Sequence, residues 1–336
     1  MKKSKKVLAL VLVAVIFIGI VPSANASSIV TVINPTFPTS ININKTSIEL
    51  DITKTAKLKA SVFPSNASNK RITWKSSNSK IASVDSKGKI TAKSYGETII
   101  SAVTSNGKIS TAKVIVNDVI AVFLGNSSVI MLKVHNKSYG RYKAANKTLT
   151  YIYENGSDLA WQTTNAALGI GGEKLVEYLL KVKQQKKYVR FLIVVSAPGN
   201  SVLDSKKDEV IQAGAYAADC YNYLYNQIKS QNIKFNFYVM SLFPLEPNHK
   251  DAKQMKIVSN SSIYALENNY RSPIKYTLFN RGLKTQINNK YANKIRYIDL
   301  YSNTTKYVKI FKTYDGLHVD ETTSKGMFKY IMNTIA

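Results

Sequence analysis

Val119-Ile-Ala-Val-Phe-Leu-Gly125-Asn126-Ser127-Ser128 is the stretch on which the fold turns. Upstream of it, apolar segments are short, partly alternating and broken by turn residues every few positions. From Val119 onward, apolar runs alternate with segments of helical period. The two patterns call for different architectures, because alternation marks a half-buried strand and strand–helix alternation marks a covered sheet. The chain therefore divides here into an all-β part and an α/β part.

In the α/β part, strands are expected at Val119–Leu124, Leu149–Tyr153, Val189–Val195, Phe235–Leu242 and Ile295–Leu300. Amphipathic stripes lie between them. Leu175, Tyr178, Leu179 and Val182 form one, and Ala217, Cys220, Tyr221, Leu224 and Ile228 a second. Ile274, Leu278, Leu283 and Ile287 form a third, while Phe328 and Ile331 belong to the last. This order predicts a parallel five-stranded sheet with helices on both faces, and a site at the carboxyl ends of its strands.

Between Ile41 and Val116 the pattern is all-β. Strands are expected at Ser47–Ile52, Ala56–Val62, Arg71–Lys75, Lys80–Val84, Lys89–Ala92, Thr98–Val103 and Thr111–Val116. Turn residues such as Asp85-Ser-Lys-Gly88 and Ser105-Asn-Gly107 separate them. Short strands at this spacing predict a β-sandwich, with Trp74 in its core.

The beginning of the chain reads as an export leader over residues 1–26. Lys2, Lys3, Lys5 and Lys6 precede an apolar run from Val7 to Val21, and Ala24-Asn25-Ala26 supplies a cleavage pattern. A linker over 27–38 follows. The run is short for a bilayer span, so a secreted or wall-associated product without a stable membrane span is expected. A formal net charge of +27 implies attraction to polyanions. Without an arginine-rich groove motif, the expected partner is an anionic cell wall or glycan, with no nucleic acid. Abundant Lys, Asn, Ile and Tyr in an exported chain suit a low-GC Gram-positive bacterium. The single cysteine, Cys220, excludes an intramolecular disulfide. Sparse histidine and cysteine predict no metal and no cofactor.

Three histidines leave a short list of bases for hydrolytic chemistry. His318 closes Asp315-Gly-Leu-His318, just before the last helical stripe. Two readings stand: a catalytic pair, or an Asp-Gly surface turn. Ser127 likewise reads either as a helix N-cap or as a nucleophile entering a helix N-terminus. Val129 excludes the Gly-x-Ser-x-Gly elbow. His249, in Glu246-Pro-Asn-His249, reads as a solvated loop residue, and His135 has no carboxylate partner in sequence. Glu154 and Asp158 flank Gly156 without an assigned role. Gly169-Ile-Gly171-Gly172 reads as a loop before a helix, since no Gly-Lys-Ser/Thr follows it.

Two resemblances add to this reading. Ile72-Thr-Trp74-Lys-Ser-Ser-Asn78, Ile81-Ala-Ser-Val84-Asp85-Ser-Lys-Gly88 and Gly96-Glu-Thr-Ile99-Ile-Ser-Ala102 resemble the bacterial Ig-like group 2 domain. That resemblance implies a surface spacer or adhesion module over 39–117. Gly125-Asn126-Ser127 and Asp315-Gly316-Leu317-His318 resemble the first and last blocks of the SGNH/GDSL hydrolase family. Asn155-Gly156, Phe237–Pro244, Phe279-Asn280 and Tyr297-Ile298-Asp299 follow in family order. The resemblance implies a flavodoxin-like three-layer α/β/α domain over 118–336. It assigns Ser127 as nucleophile, His318 as base and Asp315 as its orienting carboxylate. The Ser127 and Gly156 backbone N–H groups and the Asn200 side chain would form the oxyanion hole. Two positions depart from the family. Asn126 replaces an aspartate, and Ser196-Ala197-Pro198-Gly199-Asn200-Ser201 stands where Gly-x-Asn-Asp is usual. The implied activity is hydrolysis of an O-acyl (acetyl) ester on a wall or environmental glycan. An inactive glycan-binding module and an O-acyltransferase using the same triad are the alternatives.

Overall fold

The computed structural model describes residues 35–125, 147–153, 169–197, 207–254, 259, 271–313 and 317–335. Residues 1–26, expected as an export leader, lie outside the described residues. Among those described, no helix is long and apolar enough to cross a membrane.

The all-β part contains β1 (Ser40–Ile43), β2 (Ser47–Asp51), β3 (Thr55–Lys57), β4 (Ala60–Phe63), β5 (Ile72–Ser76), β6 (Ala82–Val84), β7 (Lys89–Ala92), β8 (Gly96–Thr104) and the start of β9 (Ile109–Gly125). One sheet runs β5-β8-β9-β2. Two smaller sheets, β1-β4 and β3-β7-β6, complete this part. Ile48, Leu58, Ile90, Ile100, Ala112, Val114 and Val116 form the core, with Trp74 half-buried against it. Gly88 has φ +77° and lies beneath the indole of Trp74; a Cβ there would stand 2.6 Å from the Leu58 carbonyl oxygen. The turn therefore needs glycine. The expected strand Ala56–Val62 is instead two strands in different sheets. The Leu58 N–H donates to the Gly88 carbonyl at 2.9 Å, which turns the chain from β3 toward β4.

Thr111–Val116 and Val119–Leu124, expected as separate strands, are one strand. β9 runs without interruption from the sandwich into the α/β part. There it is joined by β10 (Lys147–Tyr153), β11 (Val189–Ser196), β12 (Phe235–Met240) and β13 (Ile295–Ile298) in the order β10-β9-β11-β12-β13, every pair parallel. The whole is a mixed eight-stranded sheet.

Successive residues of a strand face opposite sides. Ile120, Val122 and Leu124 share a buried cluster with Leu175, Leu179 and Val182 of α1 (Gly169–Gln185), Ala217, Tyr221 and Leu224 of α2 (Lys207–Ser230), and Phe279 and Leu283 of α3 (Pro273–Gln286). Val119, Ala121 and Phe123 share the other cluster with Met327, Phe328, Ile331 and Met332 of α4 (Glu321–Ile335). Two expectations need correction. Gly169-Ile-Gly171-Gly172 is the first turn of α1, not a loop. The face of α3 is also rotated: Ile274 and Leu278 are half-buried, whereas Tyr276, Phe279, Asn280 and Leu283 are buried. Close approach to α2 sets this rotation. A Cβ on Gly282 would lie 2.0 Å from the Ile211 carbonyl oxygen, and one on Gly214 would lie 2.1 Å from that of Phe279.

Charged groups bind the two parts at the amino end of the parallel strands. Arg190 of β11 pairs with both carboxylate oxygens of Asp51, its Nε at 2.9 Å. Lys234 Nζ meets Glu49 at 2.6 Å, and the Asn117 amide donates to the same Glu49 oxygen at 2.6 Å. Lys186 Nζ lies 2.6 Å from Asp118, and the Tyr188 hydroxyl donates to Glu97 at 3.0 Å. Partial burial pushes the Glu49 carboxyl up, but Lys234 and Asn117 more than offset it and hold it below its ordinary value.

Candidate functional site

The parallel strands end level with one another. Gly125 of β9 pairs with Tyr153 of β10, and Val195 of β11 with Leu124; Ser196 is opposite Met240, and Met240 opposite Ile298. Side chains secure this edge. The Tyr221 hydroxyl donates to the Ser196 carbonyl at 3.0 Å. Ser241 Oγ accepts from the Leu300 and Tyr301 N–H groups at 2.8 and 3.0 Å. The Asn280 amide bonds both to the N–H and to the carbonyl of Leu242, at 2.9 and 3.2 Å. Buried backbone groups beyond a strand end need such partners, because water does not reach them. Ser196 itself is buried, and its hydroxyl has no hydrogen-bond partner among the described residues.

Against this edge stands the segment carrying His318. Thr313 and Val319 form an antiparallel bridge that closes a short loop over the residues between them. Two further bonds tie the loop to α4. The Asp320 N–H donates to the Lys312 carbonyl at 3.0 Å, and the Lys312 N–H to Thr323 Oγ1 at 3.1 Å. Asp320 Oδ1 caps α4 by accepting from the Thr323 N–H at 2.7 Å. From the far side, Glu246 Oε2 in the loop after β12 accepts from the Thr313 N–H at 2.6 Å and also from its hydroxyl. Val319 is 1% exposed and belongs to the same buried cluster as Phe123, Met240 and Ile298. The residue after His318 is thereby held with residues at or just before the ends of three strands. His318 itself is half-buried. Beside the loop, Tyr307, Val308, Lys309, Ile310, Lys312 and Asp320 line an open cavity of about 460 Å³.

His318 is the one residue of the expected triad and oxyanion hole that the structure describes. Ser127, Gly156, Asn200 and Asp315 lie outside the described residues, as do Asn126, His135, Glu154 and Asp158. The strand ends at Gly125 and Ser196, which precede Ser127 and Asn200 in the chain, lie at one edge, and Val319, bridged to Thr313, packs with residues of that edge. His249 sits in a turn of its own making, with its Nδ1 accepting from the Asp251 N–H at 3.2 Å. Cys220 is buried, which pushes its thiol up from its ordinary value. Among the described residues, no three His, Cys, Asp or Glu side chains are grouped to hold a metal ion.

Sequence reasoning missed Glu246, Thr313 and Ser241. Each is a polar residue whose partner is remote in sequence, and Glu246 reaches across 67 positions. The only local sign was a carboxylate just after an apolar strand, in Leu245-Glu246-Pro247.

Residues 37–115 match the family model of the bacterial Ig-like domain (group 2). An uncharacterised protein of Clostridium acetobutylicum is 32% identical over 130 residues, 39% of this chain and 13% of the relative. A second from the same organism is 38% identical over 69 residues, 20% of this chain and 17% of the relative. The chain thus spans a small part of the curated relatives it matches. Among solved structures, the lipase Lip_vut3 from a goat rumen metagenome is 14% identical with a TM-score of 0.39, covering 65% of this chain and 97% of that one.

Proposed function

We propose that residues 118–336 form a flavodoxin-like three-layer SGNH-type domain that hydrolyses esters through an acyl-enzyme. One observation supports this most. Val319, adjacent to His318, and Phe123, four residues before Ser127, occupy one buried cluster, so the two motif-bearing ends of the domain converge on the carboxyl edge of the sheet. The all-parallel strand order supports the same reading, because such sheets bind ligands at that edge.

In the proposed reaction, Ser127 Oγ attacks the acyl carbonyl and His318 accepts the hydroxyl proton. Collapse of the tetrahedral intermediate breaks the ester C–O bond, and His318 returns the proton to the departing alcohol. Water then attacks the acyl-serine, again with His318 as base, releasing the acid and restoring Ser127. Asp315 orients the imidazole and stabilises its charged form. The Ser127 and Gly156 N–H groups and the Asn200 amide bind the oxyanion, each donor contributing about 3 kcal/mol to the transition state. Glu246 acts through Thr313 by fixing the loop that presents His318. The cavity beside Lys309 and Ile310 offers room for the non-reacting part of a substrate. The substrate class we propose is an O-acetyl ester on a cell-wall or environmental glycan, with the protein exported and wall-associated.

The test is turnover of a small acetyl ester combined with fluorophosphonate labelling. Wild-type protein is expected to be labelled at Ser127. Ser127→Ala and His318→Ala should lose turnover by about 10⁴-fold or more while staying folded. Full turnover in Ser127→Ala would refute the mechanism, and unlabelled wild-type protein without turnover would favour a binding module.

A further inference from the structure

We propose that the outer face of the β3-β7-β6 sheet in the Ig-like domain is a docking surface for a linear poly(alditol phosphate), a phosphodiester polymer that carries no bases. The proposal is independent of the esterase reading. It begins with the register of β3 on β7, which sets Lys57 directly opposite Lys89. Both side chains are exposed, and neither has an ion-pair partner among the described residues. Like charges facing each other across a strand pair are destabilising, a cost that a bound anion reverses.

The surroundings reinforce the charge. Ala56, Ile90, Ala92 and Ala82 belong to the core side of these strands. Alternation therefore places Thr55, Thr91 and Ser83 on the outer side with the two lysines. Thr55 pairs with Thr91, and Thr91 with Ser83, giving a row of hydroxyl groups beside the ammonium pair. Lys87, in the β6–β7 turn, and Lys93, just after β7, are exposed as well. The nearby carboxylate, Asp85, is engaged in that turn, its Oδ1 accepting from the Lys87 and Lys89 N–H groups at 2.9 and 2.8 Å.

The remaining carboxylates between residues 35 and 117 are Glu49, Asp51 and Glu97. They are committed at the junction, to Lys234, to Arg190, and to Lys113 and Tyr188. Negative charge is thus gathered where the two parts meet, and the small sheet is left cationic. Its outer face carries no aromatic side chain on which bases could stack and no apolar wedge for a bilayer. Paired point charges flanked by hydroxyl donors suit successive phosphates of a flexible polymer.

The experiment measures binding of poly(glycerol phosphate) to the full chain across a salt series. The Lys57→Gln/Lys89→Gln variant should bind about tenfold more weakly near 50 mM salt, with its log–log salt slope reduced by about two. Lys75→Gln/Lys108→Gln removes equal charge from exposed sites off this sheet and should match wild type. Thermal denaturation should show the first variant at least as stable as wild type, which separates lost binding from lost folding. Equal losses in both variants would reduce the effect to net charge and overturn the proposal. So would failure of wild type to bind the polymer, or tighter binding to a single-stranded oligonucleotide or to anionic vesicles.

Discussion

The two halves of β9 obey different rules within one strand. From Ile109 to Val116, buried Ala112, Val114 and Val116 alternate with exposed or half-buried Thr111, Lys113 and Ile115; from Val119 to Gly125 every residue is buried. The first half has a core on one face and water on the other. The second has helices on both. Backbone geometry is shared, so the difference lies in what covers each face, and side-chain composition follows from that. A strand is thus defined by its neighbours as much as by its own residues.

This contrast can be broken by substitution. The largest effect is expected for Phe123→Ala in the second half, where Phe123 is fully buried and its ring centroid lies 5.8 Å from that of Phe328. It should cost about 4 kcal/mol in urea unfolding. Thr111→Ala in the first half should stay within about 0.5 kcal/mol. Equal costs would show that the two halves are not supported differently. The junction between the halves comes next. Arg190→Ala leaves Asp51, whose side chain is 13% exposed, without its cation, and should cost about 2–3 kcal/mol. Lys234→Ala breaks a pair whose side chains are 52% and 41% exposed, and should cost less than about 1 kcal/mol. A double-mutant cycle with Asp51→Ala isolates the coupling. At the carboxyl edge, in the loop after β12, the change is read in turnover instead of stability. Glu246→Ala should lower turnover about tenfold, equivalent to about 1.4 kcal/mol, mainly in kcat. Glu246→Gln should recover most of it, because its amide oxygen can still accept from Thr313; equal loss in both variants would mean that the charge, not the hydrogen bonds, matters.

Legibility in the sequence followed the range of the forces involved. Periodicity located α2 through Ala217, Cys220, Tyr221, Leu224 and Ile228, all of which are buried. It located β10 to β13 within a few residues. It failed at Asn117-Asp118, which read as a break between strands. Both residues are buried, but their side chains bond to Glu49 and Lys186, each 68 positions away. No local pattern reports such partners. The same reason hid Glu246 and the rotation of α3, whose register depends on the close approach of its Gly282 to α2 and of Gly214 in α2 to it. Residue type and order singled out His318 as the candidate base. The clamp that holds the loop emerged only from the fold.

The unbroken run of β9 has a geometric consequence. At about 3.3 Å per residue its 17 residues form a rod roughly 55 Å long. The Ig-like module grips one tip, and the carboxyl edge bearing His318 lies toward the other. On the two proposals above, a polymer held by the module and the esterase groups would be separated along this strand, and the sheet between them is continuous. A molecule anchored in this way would present its chemistry outward, to whatever lies across from the surface it rests on.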